Sequence, residues 1–351
     1  MFAITGGGTG GHLAIAKALA QELKTQNLKA IYIGSTLGQD KAWFEKSDLF
    51  MQCYFLESSG VVNKSGFNKL KALWKQFQAT LEARKILKAH KVAHIISVGG
   101  FSAGGASMGA ILARIPLFIH EQNAIKGKLN EILTPFAKAV FGSFSSNSKN
   151  FIHTSYPVRD EFFTTSRIRQ ECKNILFLGG SQGAKGINDF ALKLTPLLLQ
   201  KGINVAHQCG ERDFERVKQE YENLGILHKV DLFAFDKNLV TRLQQADICI
   251  ARSGASSLWE MAANGLIGIF VPYPFAAKDH QYFNAKSFTD EGLGFVIREN
   301  EINIESVLGF IESLQGEILE QKSSQVMSKI KPNGAREILD HINALAPIAK
   351  D

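Results

Sequence analysis

The sequence has few cysteines and no pattern that pairs them. Its four cysteines, at positions 53, 172, 209 and 249, are widely separated, with no C-x-x-C motif and no histidine at metal-binding spacing. We therefore expect buried, reduced thiols in a reducing compartment, and neither a disulfide framework nor a metal site.

Long apolar runs are also missing. No stretch reaches the roughly 20 apolar residues that a membrane span requires. Met1 leads directly into the strand-like run FAIT, without the basic and apolar regions of a signal peptide, so we expect a protein that is not secreted. A hydrophobic content of 45% with 21% charged residues is typical of a folded globular protein, and 351 residues suit two domains.

Acidic residues are almost absent between positions 61 and 93. Eight Lys/Arg residues stand there against Glu82 alone, so this segment accounts for the net charge of +7. One helical stripe within it combines apolar and basic side chains: Leu70, Leu73, Trp74, Phe77 and Leu81, interleaved with Lys69, Lys71 and Lys75. A basic amphipathic helix suits an anionic membrane surface. The alternative is that the apolar side chains face the protein core and the lysines form an ordinary solvated face.

Short β-branched or aromatic runs alternate with helix-like segments along the chain. The first half has six such runs, at 2–5, 30–34, 53–56, 94–98, 117–120 and 139–141. The second half also has six, at 175–178, 203–207, 230–235, 247–251, 268–271 and 294–297. Continuous apolar strands separated by helices predict parallel sheets covered on both faces, here two sheets of six strands. We place domains at 1–157 and 158–333, followed by a helical segment, 334–351, whose packing the sequence leaves open.

Four of these strands end in Gly/Ser-rich turns that start a helix. The turns are GGGTGGH (6–12), GGFSAGGAS (99–107), GGSQGAKGIN (179–188) and SGASSLWE (253–260). Ligands bind at the carboxyl ends of parallel strands, and helix N-termini favour phosphate oxygens. A single glycine turn merely permits a tight connection. Two in each half predict a cleft that binds a phosphorylated ligand.

The first turn satisfies two nucleotide-binding patterns only in part. A P-loop needs a lysine where His12 stands, with a Ser or Thr after it. The dinucleotide fingerprint G-x-G-x-x-G is present, but its ribose-binding acid should close the second strand, and the first acid there is Asp40. Both interpretations are therefore disfavoured for this turn.

Acidic and amide side chains follow the strands of both halves. Glu260 lies one to two helical turns beyond the serines of SGASSLWE, where a carboxylate can bind both hydroxyls of a ribose while the preceding amides hold a diphosphate. HEQNAIKGKLN (120–130) and YPFAAKDHQYFNA (273–285) cluster further polar groups. Taken singly each is a capped loop, and together they indicate facing walls of one site.

In order along the chain, GGGTGGH, GGFSAGG, HEQN, GGSQGAKGIN, RSGASSLWE and the Gln-Tyr-x-Asn-Ala segment resemble the MurG family. These bacterial transferases move N-acetylglucosamine from UDP-N-acetylglucosamine to the 4-hydroxyl of lipid-linked muramyl-pentapeptide, in peptidoglycan synthesis. The resemblance covers nearly the whole chain. It implies a GT-B fold of two Rossmann-like domains facing across a cleft, with the acceptor in the first and the donor in the second. It further implies inverting transfer without metal or cofactor, at the cytoplasmic face of the inner membrane.

The resemblance also implies roles for individual residues. The donor contacts are Thr9, Gly10, Gly11, Asn123, Arg159, Ser181, Phe235, Ala255, Ser256, Ser257, Leu258, Trp259, Glu260 and Gln281. Glu260 is assigned to the ribose and the Phe235 region to the uracil pocket. His12 is our candidate for the general base because imidazole titrates near neutrality, and Glu121 is its rival. The chain departs from the family at Phe101, where a tyrosine is common, so no hydroxyl is available there. A second departure follows His12, where Leu13 to Ala16 lack a common proline.

Three other functions remain open at this point. A nucleic-acid-binding protein could use the basic segment, although no binding motif accompanies it. Another GT-B enzyme, such as a UDP-N-acetylglucosamine 2-epimerase, needs the donor site but not Trp74 and the lysines. A nucleotide-sugar sensor needs the donor site without any chemistry.

Overall fold

The computed structural model describes residues 1–58, 66–180 and 183–347, without the side chains of 67–69. The chain divides into two compact units. Unit 1 comprises Met1–Val158 together with Pro332–Asp351, and unit 2 comprises Arg159–Lys331.

Unit 1 begins with alternating strands and helices. In chain order they are β1 (Phe2–Thr5), α1 (Gly10–Thr25), β2 (Ala30–Ser35), α2 (Asp40–Phe44), β3 (Gln52–Leu56), α3 (Gly66–Ala89), β4 (His94–Ser97), α4 (Ala103–Ala113), β5 (Leu117–Glu121), α5 (Lys128–Leu133), a 3₁₀ turn (Thr134–Phe136), β6 (Ala139–Gly142) and β7 (Phe151–His153).

These strands form one parallel sheet in the order β3-β2-β1-β4-β5-β6-β7. The strands β1 and β4 are buried along their whole length, because helices cover both faces of the sheet. The order reverses at β1, and ligand sites of open α/β sheets lie at the carboxyl ends of strands beside such a reversal.

The prediction of six strands for this sheet is wrong by one. The seventh, Phe151–His153, has only three residues and is partly exposed at the sheet edge. A short edge strand needs no continuous apolar run, and this one follows the polar segment 145–150, so the strand pattern did not identify it.

Unit 2 repeats this alternation. Its elements are α6 (Asp160–Thr164), β8 (Asn174–Leu178), α7 (Lys185–Gln200), β9 (Asn204–Gln208), α8 (Phe214–Asn223), a 3₁₀ turn (Leu227–Lys229), β10 (Val230–Phe233), α9 (Leu239–Gln245), β11 (Ile248–Ala251), α10 (Ala255–Ala263), β12 (Ile267–Phe270), a 3₁₀ turn (Ala277–Asp279), α11 (His280–Thr289), β13 (Gly294–Val296), a 3₁₀ turn (Glu299–Glu301), α12 (Ile304–Ser313) and α13 (Gly316–Ser328). Its parallel sheet has the predicted six strands, in the order β10-β9-β8-β11-β12-β13. The predicted α/β class with two Rossmann-like parallel sheets is confirmed.

A buried arginine joins two helix ends in unit 2. Arg169 is fully buried and donates to the carbonyls of Leu243 (2.9 Å) and Ala246 (3.1 Å), at the end of α9. It also donates to Oδ1 of Asn264, just beyond α10, at 2.6 Å. Burial lowers the pKa of Arg169 to about 9. The guanidinium therefore satisfies carbonyl groups that a helix end leaves without partners.

The last helix, α14 (Gly334–Leu345), belongs to unit 1. It packs against α1, and Oε2 of Glu337 accepts a hydrogen bond from the amide of Ser155 at 2.9 Å. A side chain at Gly334 would come within 2.5 Å of the Ser155 carbonyl, so the start of α14 requires glycine there.

Helix α3 presents its apolar stripe to solvent. Its opposite face, with Ala79 and Ala83, is buried and approaches α4 so closely that a side chain at Gly109 would lie 2.9 Å from the α3 backbone. The stripe itself is exposed, from 39% to 66%: Leu70, Leu73, Trp74, Phe77 and Leu81. The alternative that these side chains face the core is therefore wrong. No described helix has the length and apolar character of a membrane span.

Candidate active site

The glycine turn between β1 and α1 is held by contacts within unit 1. The amide of Gly7 donates to the carbonyl of Gly99 (3.1 Å), and the amide of Gly8 donates to Oδ2 of Asp40 (2.6 Å). A side chain at Gly100 would lie 2.1 Å from the carbonyl of Gly7, so the two glycine turns of unit 1 contact through their backbones. The amides of Gly7 and Gly8 are thus already bonded, and a phosphate would have to bind further along, at the start of α1.

Asp40, which does not stand at the ribose-binding position of the dinucleotide fingerprint, supports the glycine turn of unit 1. It is fully buried, and its Oδ1 accepts from the amide of Ser35 (3.1 Å) and lies 3.0 Å from the hydroxyl of Tyr32. That hydroxyl also lies 2.9 Å from the carbonyl of Gly6. Burial and the neighbouring Asp40 raise the pKa of Tyr32. Asp40 is therefore a structural acid that fixes the glycine turn. This role is consistent with its mismatch to the ribose-binding position of the dinucleotide fingerprint.

His12 lies in the first turn of α1, between two polar partners. Its Nδ1 is 2.9 Å from Oγ1 of Thr9, the residue that precedes the helix. Its Nε2 is 2.9 Å from Nε2 of Gln122, just beyond β5. The structure thus brings the GGGTGGH and HEQN motifs together at the carboxyl edge of the sheet, as the order of β1, β4 and β5 requires.

Glu121 holds the loop that follows β5. Its Oε1 accepts from the amide of Asn123 (3.0 Å), and its Oε2 accepts from the amide of Gly127 (3.0 Å) and from Nδ2 of Asn130 (2.8 Å). The side chain is buried. With three donors on its two oxygens, the carboxylate braces this loop.

His120, also on β5, is fully buried. Burial, with His12 nearby, lowers its pKa to about 3, so its imidazole stays neutral at physiological pH. Neither ring nitrogen has a hydrogen-bond partner among the described residues.

In unit 2 the turn after β8 leads into α7, and Ser181 of this turn lies outside the described residues. The amide of Gly179 donates to the carbonyl of Gln208 at 2.9 Å. Asn188, on α7, donates to the carbonyl of Cys209 (3.0 Å) and to Oδ2 of Asp213 (2.7 Å). The start of α7 is therefore fixed to the end of β9.

The turn after β11 places Glu260 on α10 with its carboxyl group almost buried. The nearest cation is Arg159, whose Nη2 is 3.9 Å away, while Nη1 of Arg159 pairs with Glu161 at 2.5 Å. Burial raises the pKa of Glu260 to about 7, with Arg159 acting in the opposite direction. Among the described residues the carboxyl group has no partner closer than Arg159, which leaves it available to a ligand's hydroxyl groups.

The remaining donor candidates of unit 2 lie on α10, on α11 and just beyond β10. The segment Ala255 to Glu260 forms the beginning and middle of α10. Asn284 of α11 donates to the carbonyl of Ser253 (3.2 Å), and Gln281 accepts from the amide of Tyr273 (2.9 Å). Phe235 lies two residues beyond β10 and is 49% exposed.

Among described residues no group of three or more His, Cys, Asp or Glu side chains is placed to hold a metal ion.

Two Rossmann-like parallel sheets, each with glycine turns at the carboxyl ends of its strands, are found in two-domain glycosyltransferases. The model for the glycosyltransferase family 28 N-terminal domain matches residues 2–142, and that for the C-terminal domain matches residues 174–342. The chain belongs to this family, and it is a glycosyltransferase.

Its relatives narrow the family further. A curated protein of Helicobacter hepaticus is 71% identical over 347 residues, which cover 98% of this chain and 99% of the relative. It is named UDP-N-acetylglucosamine--N-acetylmuramyl-(pentapeptide) pyrophosphoryl-undecaprenol N-acetylglucosamine transferase. A protein of the same name from Wolinella succinogenes is 52% identical, over 97% of this chain and 98% of the relative.

Solved structures agree with this assignment. The crystal structure of Acinetobacter baumannii MurG superposes with a TM-score of 0.79 at 27% identity, over 98% of this chain and 99% of that one. The glycotransferase of kitacinnamycin superposes with a TM-score of 0.73 at 13% identity, over 99% and 98%, which shows the fold alone. The resemblance to the MurG family is confirmed.

Proposed function

We propose that this protein transfers N-acetylglucosamine from UDP-N-acetylglucosamine to the 4-hydroxyl of lipid-linked muramyl-pentapeptide, with inversion at the anomeric carbon. The observation that carries this proposal is the 71% identity, over almost the whole chain, to a relative whose name states this donor and acceptor. An epimerase or a sensor shares only the fold and the donor site. The product is the lipid-linked disaccharide-pentapeptide precursor of peptidoglycan.

We assign the acceptor to unit 1 and the general base to His12. Thr9 and Gln122 hold the two nitrogens of its imidazole at the carboxyl edge of the sheet, which supports this role. Glu121 is the weaker candidate because both of its oxygens already accept hydrogen bonds from the loop that it braces. In an inverting displacement the base takes the proton of the acceptor 4-hydroxyl. The hydroxyl oxygen attacks C1 of N-acetylglucosamine, and the bond between C1 and the UDP oxygen breaks.

We assign the uridine diphosphate to unit 2. Glu260, buried and without a close partner, is suited to accept hydrogen bonds from the ribose hydroxyls. The start of α10 offers amides to the diphosphate, and Arg159 adds a cation that stabilises the leaving group. Gln281 and the Phe235 region complete the proposed contacts, together with Ser181, for which the structure gives no geometry. Thr9, Gly10, Gly11 and Asn123 are the donor contacts proposed for unit 1.

We further propose that α3 attaches the protein to the cytoplasmic face of the inner membrane. Its exposed apolar stripe and the lysines at positions 71 and 75 support this, because apolar burial and anionic headgroups add in interfacial binding. Lys75 also pairs with Glu57 at 2.8 Å, and the side chain of Lys69 lies outside the described residues. Charge reversal at these three lysines should release the protein from liposomes that contain anionic lipid. Co-sedimentation that is insensitive to the reversal contradicts the attachment.

The reaction is tested by incubating the purified protein with radiolabelled UDP-N-acetylglucosamine and lipid-linked muramyl-pentapeptide, with and without a chelator. We expect label in the lipid fraction in both cases. Label that stays in nucleotide sugar when the acceptor is present contradicts the proposal. His12→Ala and Glu121→Ala are then compared at saturating substrates: a near-normal kcat in His12→Ala excludes His12 as the base.

A further inference from the structure

Gln122 lies against the imidazole of His12 with only one of its two polar atoms satisfied. Its Nε2 is 2.9 Å from Nε2 of His12, whereas its Oε1 is buried and has no hydrogen-bond partner among the described residues. An amide nitrogen only donates, so Nε2 of His12 accepts this bond and carries no proton. The proton of the neutral ring is then on Nδ1, which donates to Oγ1 of Thr9.

If the Gln122 amide is rotated by half a turn, its oxygen faces Nε2 of His12, and this orientation requires Nε2 to carry a proton. With Oε1 turned toward the ring, the amide oxygen accepts a hydrogen bond from Nε2–H, and the amide nitrogen moves into the buried position. Each orientation leaves one buried polar atom unpaired, which is unfavourable in both cases. The proton on His12 therefore decides which orientation has the lower free energy.

The backbone on both sides of Gln122 is fixed. Glu121, the last residue of β5, accepts hydrogen bonds from the amides of Asn123 and Gly127. Gln122 therefore reaches His12 from a constrained main chain.

We propose that Gln122 is a positioning residue for the transfer reaction. Its amide nitrogen keeps Nε2 of His12 unprotonated and oriented in the free protein, and its Oε1 accepts from Nε2 after proton transfer. This inference rests on the proposed role of His12 as the base. In the step concerned, the 4-hydroxyl takes the place of the Gln122 N–H at the single lone pair of Nε2 and passes its proton to that nitrogen, the hydroxyl oxygen bonds to C1 of the sugar, and UDP leaves with the electrons of the broken C1–O bond.

Within the described residues, the titratable groups next to this pair include His120 and Glu121 of β5. His120 is buried and neutral, and the Glu121 carboxylate is bonded to three donors, so neither replaces Gln122 as a partner of Nε2. An effect of Gln122 substitution on His12 is therefore assigned to the lost amide.

The experiment compares Gln122→Met, Gln122→Glu and a control, Gln52→Met, which alters an exposed residue of β3. In full-length protein with isotope-labelled histidine, nitrogen NMR should show Nδ1 of His12 protonated, and His12→Ala identifies the signal. Gln122→Met should move the ring toward the Nε2-protonated form and lower kcat about tenfold, with KM for UDP-N-acetylglucosamine changed by less than about twofold. Gln122→Glu should shift the acidic limb of the kcat/KM profile to higher pH, because a carboxylate stabilises the imidazolium.

The outcomes separate this inference from the proposed function. If His12→Ala is inactive while Gln122→Met keeps the wild-type kcat and the wild-type nitrogen signals, the positioning role is wrong and the function stands. If His12→Ala keeps its kcat, the base assignment fails and the role of Gln122 fails with it. A variant that unfolds is detected by its circular dichroism, and the milder Gln122→Glu then decides through its pH profile.

Discussion

Replacing Glu260 with glutamine should weaken donor binding and at the same time stabilise unit 2. The carboxyl group is buried on α10, and the nearest cation, Arg159, is 3.9 Å away and already paired with Glu161. Burial raises the pKa of Glu260 from 4.5 to about 7. Keeping the group ionised in the folded state therefore costs about 3 kcal/mol.

The sign of the pH dependence follows from the raised pKa. Between about pH 4.5 and pH 7 the folded state holds the proton more tightly than the unfolded state, so stability falls as the pH rises through this window. Above about pH 7 the free energy of unfolding has lost this contribution completely. The glutamine of Glu260→Gln does not titrate. Its free energy of unfolding should therefore equal that of the wild type near pH 4.5 and exceed it by up to about 3 kcal/mol near pH 8.

Urea unfolding followed by the fluorescence of Trp259 measures this difference. Trp259 lies beside Glu260 on α10, and the other two tryptophans, Trp43 and Trp74, are in unit 1 and can be replaced by phenylalanine. Glu222→Gln, on the exposed surface of α8, is the matched control. In the same variant, calorimetry should show UDP binding weakened roughly 10- to 100-fold through the lost ribose contacts. A variant no more stable than the wild type at pH 8, or a gain that is independent of pH, refutes the reasoning.

Two further predictions concern buried charges. Asp40→Asn should lower both the melting temperature and kcat. Asparagine has one side-chain oxygen, so it cannot accept from the backbone amides of Gly8 and Ser35 as the two carboxylate oxygens do. Each hydrogen bond to a charged group is worth about 1.5–3 kcal/mol. Asp48→Asn, at an exposed ion pair, is the control, and equal melting temperatures of the two variants contradict the role of Asp40. Arg169→Met should destabilise unit 2 by about 3 kcal/mol or more in urea, because it leaves the Leu243, Ala246 and Asn264 acceptors buried and unpaired. Wild-type stability in this variant contradicts that assignment.

The apolar strands were predictable because parallel strands with covered faces are continuous hydrophobic runs. Of the thirteen strands in the described part of the chain, twelve coincide with such runs, and β7 does not because an edge strand is only partly buried. The packing of α14 on unit 1 could not be predicted, because it depends on contacts with α1 and Ser155, far away in the chain.

The site was predictable as motifs but not as contacts. The glycine turns can be identified from the sequence alone, because their local residue pattern and their order along the chain are sufficient. The structural role of Asp40 depends on a hydrogen bond to Gly8, 32 residues away, and no local pattern encodes it. The HEQN motif alone does not show whether the Glu121 carboxylate is a general base or a structural group. The three hydrogen bonds that it accepts from the loop favour the structural role.

The most direct test of the central claim is the structure of the transferred product. The purified protein is given UDP-N-acetylglucosamine with lipid-linked muramyl-pentapeptide or with its 4-deoxy analogue, and the product linkage is determined by NMR. We predict a β-linked N-acetylglucosamine on the 4-oxygen of the muramyl residue, and no product with the analogue. An α-linkage, attachment at another position, or transfer to the 4-deoxy acceptor contradicts the account.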